Sequence, residues 1–168
     1  MIDDDREIQL DDFMLNPQLR EGVASVKEAL REGQLTYADV GGFTDIELDG
    51  AYASAVNLLA AGKSVDAIQT CGYLMMIDPY KGRYYQLVGI ALQRMKQYQF
   101  AEYYYRVGIS LDKEDPMSHV YLGECKIMQG QTDDGLELVR KGLEFAGEDP
   151  EHGDVVSRGK VLLKQFGA

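Results

Sequence analysis

Residues 82–115 read GRYYQLVGIALQRMKQYQFAEYYYRVGISLDKED, and residues 116–149 read PMSHVYLGECKIMQGQTDDGLELVRKGLEFAGED. Laid one above the other, they put Gly89 over Gly123 and Ala101 over Gly135, each pair 34 residues apart. The same ruler applied to 48–81 finds Ala55 and Ala67 at the matching places, and Gly62 and Gly130 lie 68 apart with Lys96 midway. Large apolar residues travel with them: Leu58 and Leu92 follow the first small residue by three positions, and Val88 and Leu122 immediately precede it. A period of 34 with small residues at positions 8 and 20 of each unit is the tetratricopeptide pattern, two antiparallel helices that cross where side chains are small.

Helix physics agrees with that reading. Glycine inside a helix costs about 1 kcal/mol relative to alanine, so Gly89 and Gly123 need a compensating role, and close helix approach supplies one. Leu87, Ile90, Ala91 and Arg94 share one side of a helix, while Val88, Leu92 and Met95 line the neighbouring side. The spacing predicts helices over 48–61, 64–77, 82–95, 98–111, 116–129 and 132–146, with breaks at Gly62-Lys63, Asp78–Lys81 and Gly130-Gln131. Asp-Pro pairs at Pro79, Pro116 and Pro150 mark unit ends, the later two at a first helical position, where proline is tolerated.

Working outward, Asn16 and Pro17 cap and start a helix carrying Leu19, Val23, Val26 and Leu30, which Gly33 stops. Residues 34–49 read as a loop or short helical turns broken at Gly41-Gly42. Pro150 opens a last helix with Val155, Val156, Leu162, Leu163 and Phe166 on its apolar side. The expected fold is all-α: a tetratricopeptide solenoid of three helix pairs between an N-terminal helix and a C-terminal capping helix. The expected organisation is an acidic tail over 1–15, an N-terminal helix and connector over 16–47, repeats at 48–81, 82–115 and 116–149, and a capping helix over 150–168.

Composition narrows the function. The 168 residues hold 17 Lys plus Arg against 28 Asp plus Glu, a formal net charge of −11. That balance argues against a phosphate-backbone binder, so no nucleic-acid partner is expected. Residues 1–12 carry six acids against Arg6 alone, the pattern of a solvated tail. Cys71 and Cys125 form no Cys-x-x-Cys pair, which argues against a disulfide framework or zinc ribbon and for a reducing cytosol. No basic start leads into an apolar run, and the longest mostly apolar stretch, Ala51 to Ala61, is far too short to span a bilayer. A soluble cytoplasmic protein without direct membrane binding is expected.

No catalytic constellation assembles. His119 and His152 have no partner at metal-ligand spacing, and His119 reads as a packing residue. Asp45, Glu47, Asp49 and Gly50 imitate the opening of a calcium loop, but its twelfth position is Val56 rather than a bidentate glutamate. Those acids read better as a helix N-terminal cluster favoured by the dipole. Cys71 falls inside a repeat and reads as a buried thiol. No enzyme, metal or cofactor is expected.

A binding surface remains. In stacked units, positions 2, 5, 9 and 12 of each first helix face a common groove. They are Asp49, Tyr52, Val56 and Leu59 in the first unit, then Arg83, Gln86, Ile90 and Gln93 in the second. In the third they are Met117, Val120, Glu124 and Ile127. An apolar strip through Tyr52, Val56, Leu59, Ile90, Val120 and Ile127 suits an extended, largely apolar peptide, with Arg83, Gln86 and Gln93 as its polar rim. Since an apolar stripe at helical spacing is usually core, core packing is the competing reading for each of these positions. A clamp for a C-terminal carboxylate is excluded, because the slots that would need Lys, Asn, Lys and Arg hold Tyr52, Val56, Met117 and Tyr121.

Several segments also carry a family resemblance. They are EGQLTYADVGGFTDIELDGAYASAVNLLAAGKSVDAI from Glu32, Ile77-Asp78-Pro79-Tyr80, Arg83-Tyr84-Tyr85 and Gln97-Tyr98 before Ala101. Leu111-Asp112-Lys113-Glu114-Asp115-Pro116, Gly123-Glu124-Cys125 and Gln129-Gly130 follow. Over about Glu32 to Val139 the chain resembles the class II chaperones of type III secretion systems, the SycD/LcrH and IpgC-like chaperones of translocator proteins. The resemblance implies a non-enzymatic chaperone of the bacterial cytoplasm that keeps hydrophobic translocators soluble and export-competent. It implies capture of a Pro-x-Leu-x-x-Pro-like segment through Tyr52, Val56 and Leu59, the last two aliphatic where the family tends to aromatics. It also implies a homodimer through residues 17–60. The alternative is a static tetratricopeptide scaffold or adaptor in another bacterial assembly, with folded partners on its convex face.

Overall fold

The computed structural model describes residues 17–167; the acidic tail expected over 1–15 and the Asn16 cap lie outside the described residues. The chain divides into two compact units, Met1–Phe43 and Thr44–Ala168. In the first, α1 spans Pro17–Arg31 and the short α2 spans Tyr37–Gly41. Gly33, past the end of α1, has φ +71°. α2 is set by a capping box: the Thr36 hydroxyl accepts from the Asp39 amide at 3.2 Å, and the Asp39 carboxylate accepts from the Thr36 amide at 2.7 Å. Val23 and Val26, three residues apart on α1, are exposed.

The second unit runs α3 (Asp45–Ala60), α4 (Ser64–Ile77), α5 (Gly82–Arg94), α6 (Tyr98–Leu111), α7 (Pro116–Met128) and α8 (Thr132–Ala146). A 3-10 turn, Pro150–His152, leads into α9 (Gly153–Phe166). These are three helix pairs and a final helix, each packed against the next in chain order. Among the described residues every regular element is helical. Helices α4, α6 and α8 have the bounds the spacing predicts, and α5 and α7 end one residue short.

The largest departure is the start of α3, at Asp45 rather than Leu48. Repeat arithmetic places the unit boundary at Leu48, but local capping decides where the helix begins. Thr44 accepts from the Glu47 amide at 3.3 Å, and the Glu47 carboxylate accepts from the Thr44 amide at 2.9 Å. That bonding to Thr44 holds the Glu47 carboxyl below its ordinary range.

The small residues sit at the crossings. Ala55 and Ala67 are buried with Leu59, Cys71, Leu87, Val88 and Ala91 in the core of the first two pairs. Ala101 is buried with Tyr105, Leu122 and Cys125. The α7–α8 crossing is the tightest: a Cβ on Gly123 would lie 2.5 Å from the Gly135 carbonyl oxygen, and one on Gly135 would lie 2.6 Å from that of Gly123. Two backbones meet there with no room for a methyl group between them.

All three first helices end identically. Gly62, Lys96 and Gly130 have φ of +79°, +59° and +83°. In α3 the Gly62 amide donates to Leu59 and the Lys63 amide to Leu58, at 3.1 and 2.9 Å. Lys96 and Gln97 repeat these bonds onto Gln93 and Leu92, and Gly130 and Gln131 onto Ile127 and Lys126. Each end is a Schellman motif, satisfying carbonyls the helix leaves open and turning the chain into its antiparallel partner.

Candidate peptide-binding groove

Tyr52 and Val56 lie one turn apart on α3. Val56 is 39% exposed. Tyr52 is half-buried, its ring 5.7 Å from that of Tyr84, with the Arg83 guanidinium 4.8 Å above it. Burial pushes the Tyr52 hydroxyl above its ordinary pKa. Arg83, expected on the polar rim, is paired with Asp49 one repeat earlier. Gln86 is likewise engaged, donating to Asp115 at 2.8 Å. Both hold successive units together as well as bordering a surface.

Farther along, a cavity of about 500 Å³ opens among α5, the start of α6, α7 and α9. Its apolar wall is Ile90, Tyr98, Tyr121 and Met128; its polar wall is Gln93, Arg94, Glu124 and Arg158. Gln93 accepts from the Tyr105 hydroxyl at 3.0 Å, which fixes its side chain. Arg94 donates to the Leu59 carbonyl at 2.7 Å. Glu124, only 3% exposed, takes both its oxygens to Arg158: Nε donates at 3.0 Å and a terminal nitrogen completes the pair. Burial raises the pKa of Tyr121, the Glu124 and Asp154 charges raise it further, and Arg158 and Arg94 oppose the rise.

Of the twelve residues expected to line a groove, Ile90, Gln93 and Glu124 meet in this cavity. Tyr52 and Val56 share a face of α3, and Arg83 and Gln86 stand at unit junctions. Leu59 is core, 4% exposed among Ala55, Ala67 and Leu87. Val120 and Ile127 are also core, buried with Leu136, Val139, Val155 and Leu162, and Met117 packs against the same cluster. The reason is α9. It packs on α7 and α8, so these side chains of the third unit serve the end of the stack.

The spacing rule missed Arg94, Tyr98, Tyr121, Met128 and Arg158. Arg94 and Met128 share position 13 of their units, one step beyond the positions used. Arg158 had a readable signal: it lies 34 residues after Glu124 with the opposite charge, as Arg83 lies 34 after Asp49. The cysteines offer no chemistry here. Burial pushes Cys71 up to about 11, and burial with the nearby Glu124 and Glu102 charges pushes Cys125 up to about 12. Both remain thiols at neutral pH. No group of three or more His, Cys, Asp or Glu among the described residues could hold a metal ion. Among those residues no helix is long and apolar enough to cross a membrane.

No protein-family model matches the chain. It is 26% identical over 137 residues to Low calcium response locus protein H of Yersinia pseudotuberculosis, covering 82% of each chain. It is 27% identical over 153 residues to the chaperone protein SicA of Salmonella typhimurium, covering 91% of this chain and 90% of that one. The Yersinia enterocolitica type III secretion translocator chaperone SycD, in a structure described as an alternative dimer, superposes with a TM-score of 0.69 at 24% identity. That match covers 74% of this chain and 94% of SycD. Pseudomonas aeruginosa PcrH, in complex with the chaperone binding region of PopB, superposes with a TM-score of 0.67 at 27% identity. It covers 73% of this chain and 98% of PcrH. By sequence the chain is a homologue of Low calcium response locus protein H and the chaperone SicA, and its fold is that of the type III secretion translocator chaperone SycD and of PcrH.

Proposed function

We propose that this chain is a non-enzymatic chaperone of the bacterial cytoplasm that holds an extended apolar segment of a hydrophobic translocator protein, keeping it soluble until export. The observation that carries this is the cavity among α5, α6, α7 and α9, whose apolar wall of Ile90, Tyr98, Tyr121 and Met128 stands against fixed polar groups. Such a surface takes side chains from an extended peptide and positions them with few polar contacts. Tyr52 and Val56 on α3 extend the contact toward the first unit. PcrH, with the same fold, has been solved with the chaperone binding region of PopB bound. The chain also forms a homodimer in this reading, through residues 17–60. Val23 and Val26 on α1 supply exposed apolar side chains for it, and SycD has been solved as a dimer.

Calorimetric titration of the full chain with Pro-x-Leu-x-x-Pro peptides tests the reading. Binding with a negative heat-capacity change, weakened in Val56→Asp and Tyr52→Ala, is the expected result. Val56 is exposed, so its substitution leaves the fold intact. Absence of binding by the folded protein to every such peptide would overturn the chaperone reading in favour of a scaffold for folded partners. Light scattering of Val23→Asp/Val26→Asp checks the dimer, which the substitutions should dissociate.

A further inference from the structure

We infer that the cavity at the α5–α7–α9 end of the groove is an acid-reading subsite: it binds a segment in which an Asp or Glu stands beside a bulky apolar residue, and so fixes the register of the bound chain. The inference rests on the chaperone reading above and adds the chemistry of one residue in the bound segment.

Charge accounting carries it. The protein bears a net charge of −11, so an acidic segment is repelled by most of its surface. The cavity is an exception, lined by two guanidinium groups and one carboxylate. Glu124 is already neutralised by Arg158 through both of its oxygens. Arg94 has no acid partner among the described residues; it spends one terminal nitrogen on the Leu59 carbonyl, and its side chain is exposed. The cavity wall thus carries one uncompensated cation. Asp154, the acid on the first turn of α9, acts on Tyr121 but does not line the cavity.

The apolar half sets the second requirement. Ile90, Tyr98 and Met128 share this wall, and Tyr121 lies within the electrostatic reach of both arginines. A carboxylate entering here replaces water on Arg94 with a charge-assisted hydrogen bond. A neighbouring apolar side chain fills the volume beside it. A basic residue in the same place would meet like charge, which excludes alternative registers as well as alternative partners.

The test is a displayed peptide library with a fixed Pro-x-Leu-x-x-Pro core and randomised flanks, selected on the full chain. Asp or Glu should be enriched at one constant offset from the core, next to an apolar residue. In Arg94→Glu the enrichment should vanish or invert to Lys and Arg; the affinity of an acidic peptide should fall about tenfold and that of its neutral counterpart by less than about twofold. Arg94→Lys should keep most of the preference. Glu124→Gln, which removes the carboxylate neutralising Arg158, should tighten acidic peptides several-fold; it keeps the inference testable if Arg94→Glu fails to fold. Core-bearing peptides that bind with no acid preference, or with one untouched by Arg94→Glu, overturn this inference alone. Failure of every core-bearing peptide to bind overturns the chaperone reading as well.

Discussion

Glu124 and Arg158 stand 34 residues apart, one repeat length, and Arg158 grips the Glu124 carboxylate at two points. Asp49 and Arg83 pair across the same interval at the other end of the stack. The period therefore continues into α9, which packs on the third helix pair as a further first helix would. Glu124 is buried while the Arg158 side chain is 44% exposed, so removing the two partners has unequal consequences. Arg158→Ala strands a buried carboxylate and should cost about 2–3 kcal/mol, below the range for fully buried pairs because water reaches the vacated site. Glu124→Gln leaves a neutral acceptor for an arginine that can turn to solvent, and should cost about 1 kcal/mol. Urea unfolding of both variants checks the order; equal losses would contradict it.

Lys96 is the one described non-glycine residue with positive φ, +59°, in a slot that Gly62 and Gly130 fill in the flanking repeats. A side chain in the left-handed region brings Cβ against the following carbonyl, at about 1–2 kcal/mol. Glycine relieves that strain but loses more freedom on folding, by about 0.5–1 kcal/mol. Lys96→Gly should thus raise stability by about 0.5–1 kcal/mol, and Lys96→Ala should not. Thermal unfolding of the two variants separates strain relief from simple loss of the lysine side chain.

These residues also show what was legible in the sequence. The 34-residue ruler located Lys96 in the glycine slot and found the six repeat helices to within a few residues, because helix crossings and Schellman turns depend on a few small residues at set positions. It placed the start of α3 three residues late because a capping box at Thr44 is local chemistry that no period encodes. It assigned Leu59, Val120 and Ile127 to a groove because groove and core positions share one helical stripe. Only the packing of α9 separates them in the third unit. Arg94 and Tyr98 went unread because their place in the cavity depends on how neighbouring helices turn toward one another.

Two glycines make a controlled comparison of crossing and surface. A Cβ on Gly123 would collide with the Gly135 carbonyl and the Val139 side chain, whereas one on Gly72, exposed on α4, meets nothing within 4 Å. Gly123→Ala should cost about 1–3 kcal/mol, because backbone must move to admit the methyl group. Gly72→Ala should gain about 1 kcal/mol from helix propensity alone. Denaturant midpoints measure both, and a stabilised Gly123→Ala would show that the crossing is looser than the structure has it.

Glu102 links α6 to α7 and makes stability depend on pH. Its carboxylate accepts from Arg106 at 2.7 Å and from Gln129 at 3.1 Å, with Lys126 at 3.9 Å. Burial alone would raise its pKa, but the Arg106 and Gln129 hydrogen bonds and the Lys126 charge outweigh it and hold the carboxyl below its ordinary value of 4.5. The folded state therefore favours the charged form. Its contribution is complete above the ordinary value and is lost as pH falls below about 4.5 through the lowered folded value. Because the group is partly open to water, the contribution at neutral pH is about 0.5–1 kcal/mol. Glu102→Gln should be less stable than the parent at pH 7 by that amount, and the two stability curves should converge in acid. Denaturant unfolding followed from neutral pH into that acid range checks this: a gap that stays constant would assign the loss to packing of the side chain rather than to its charge.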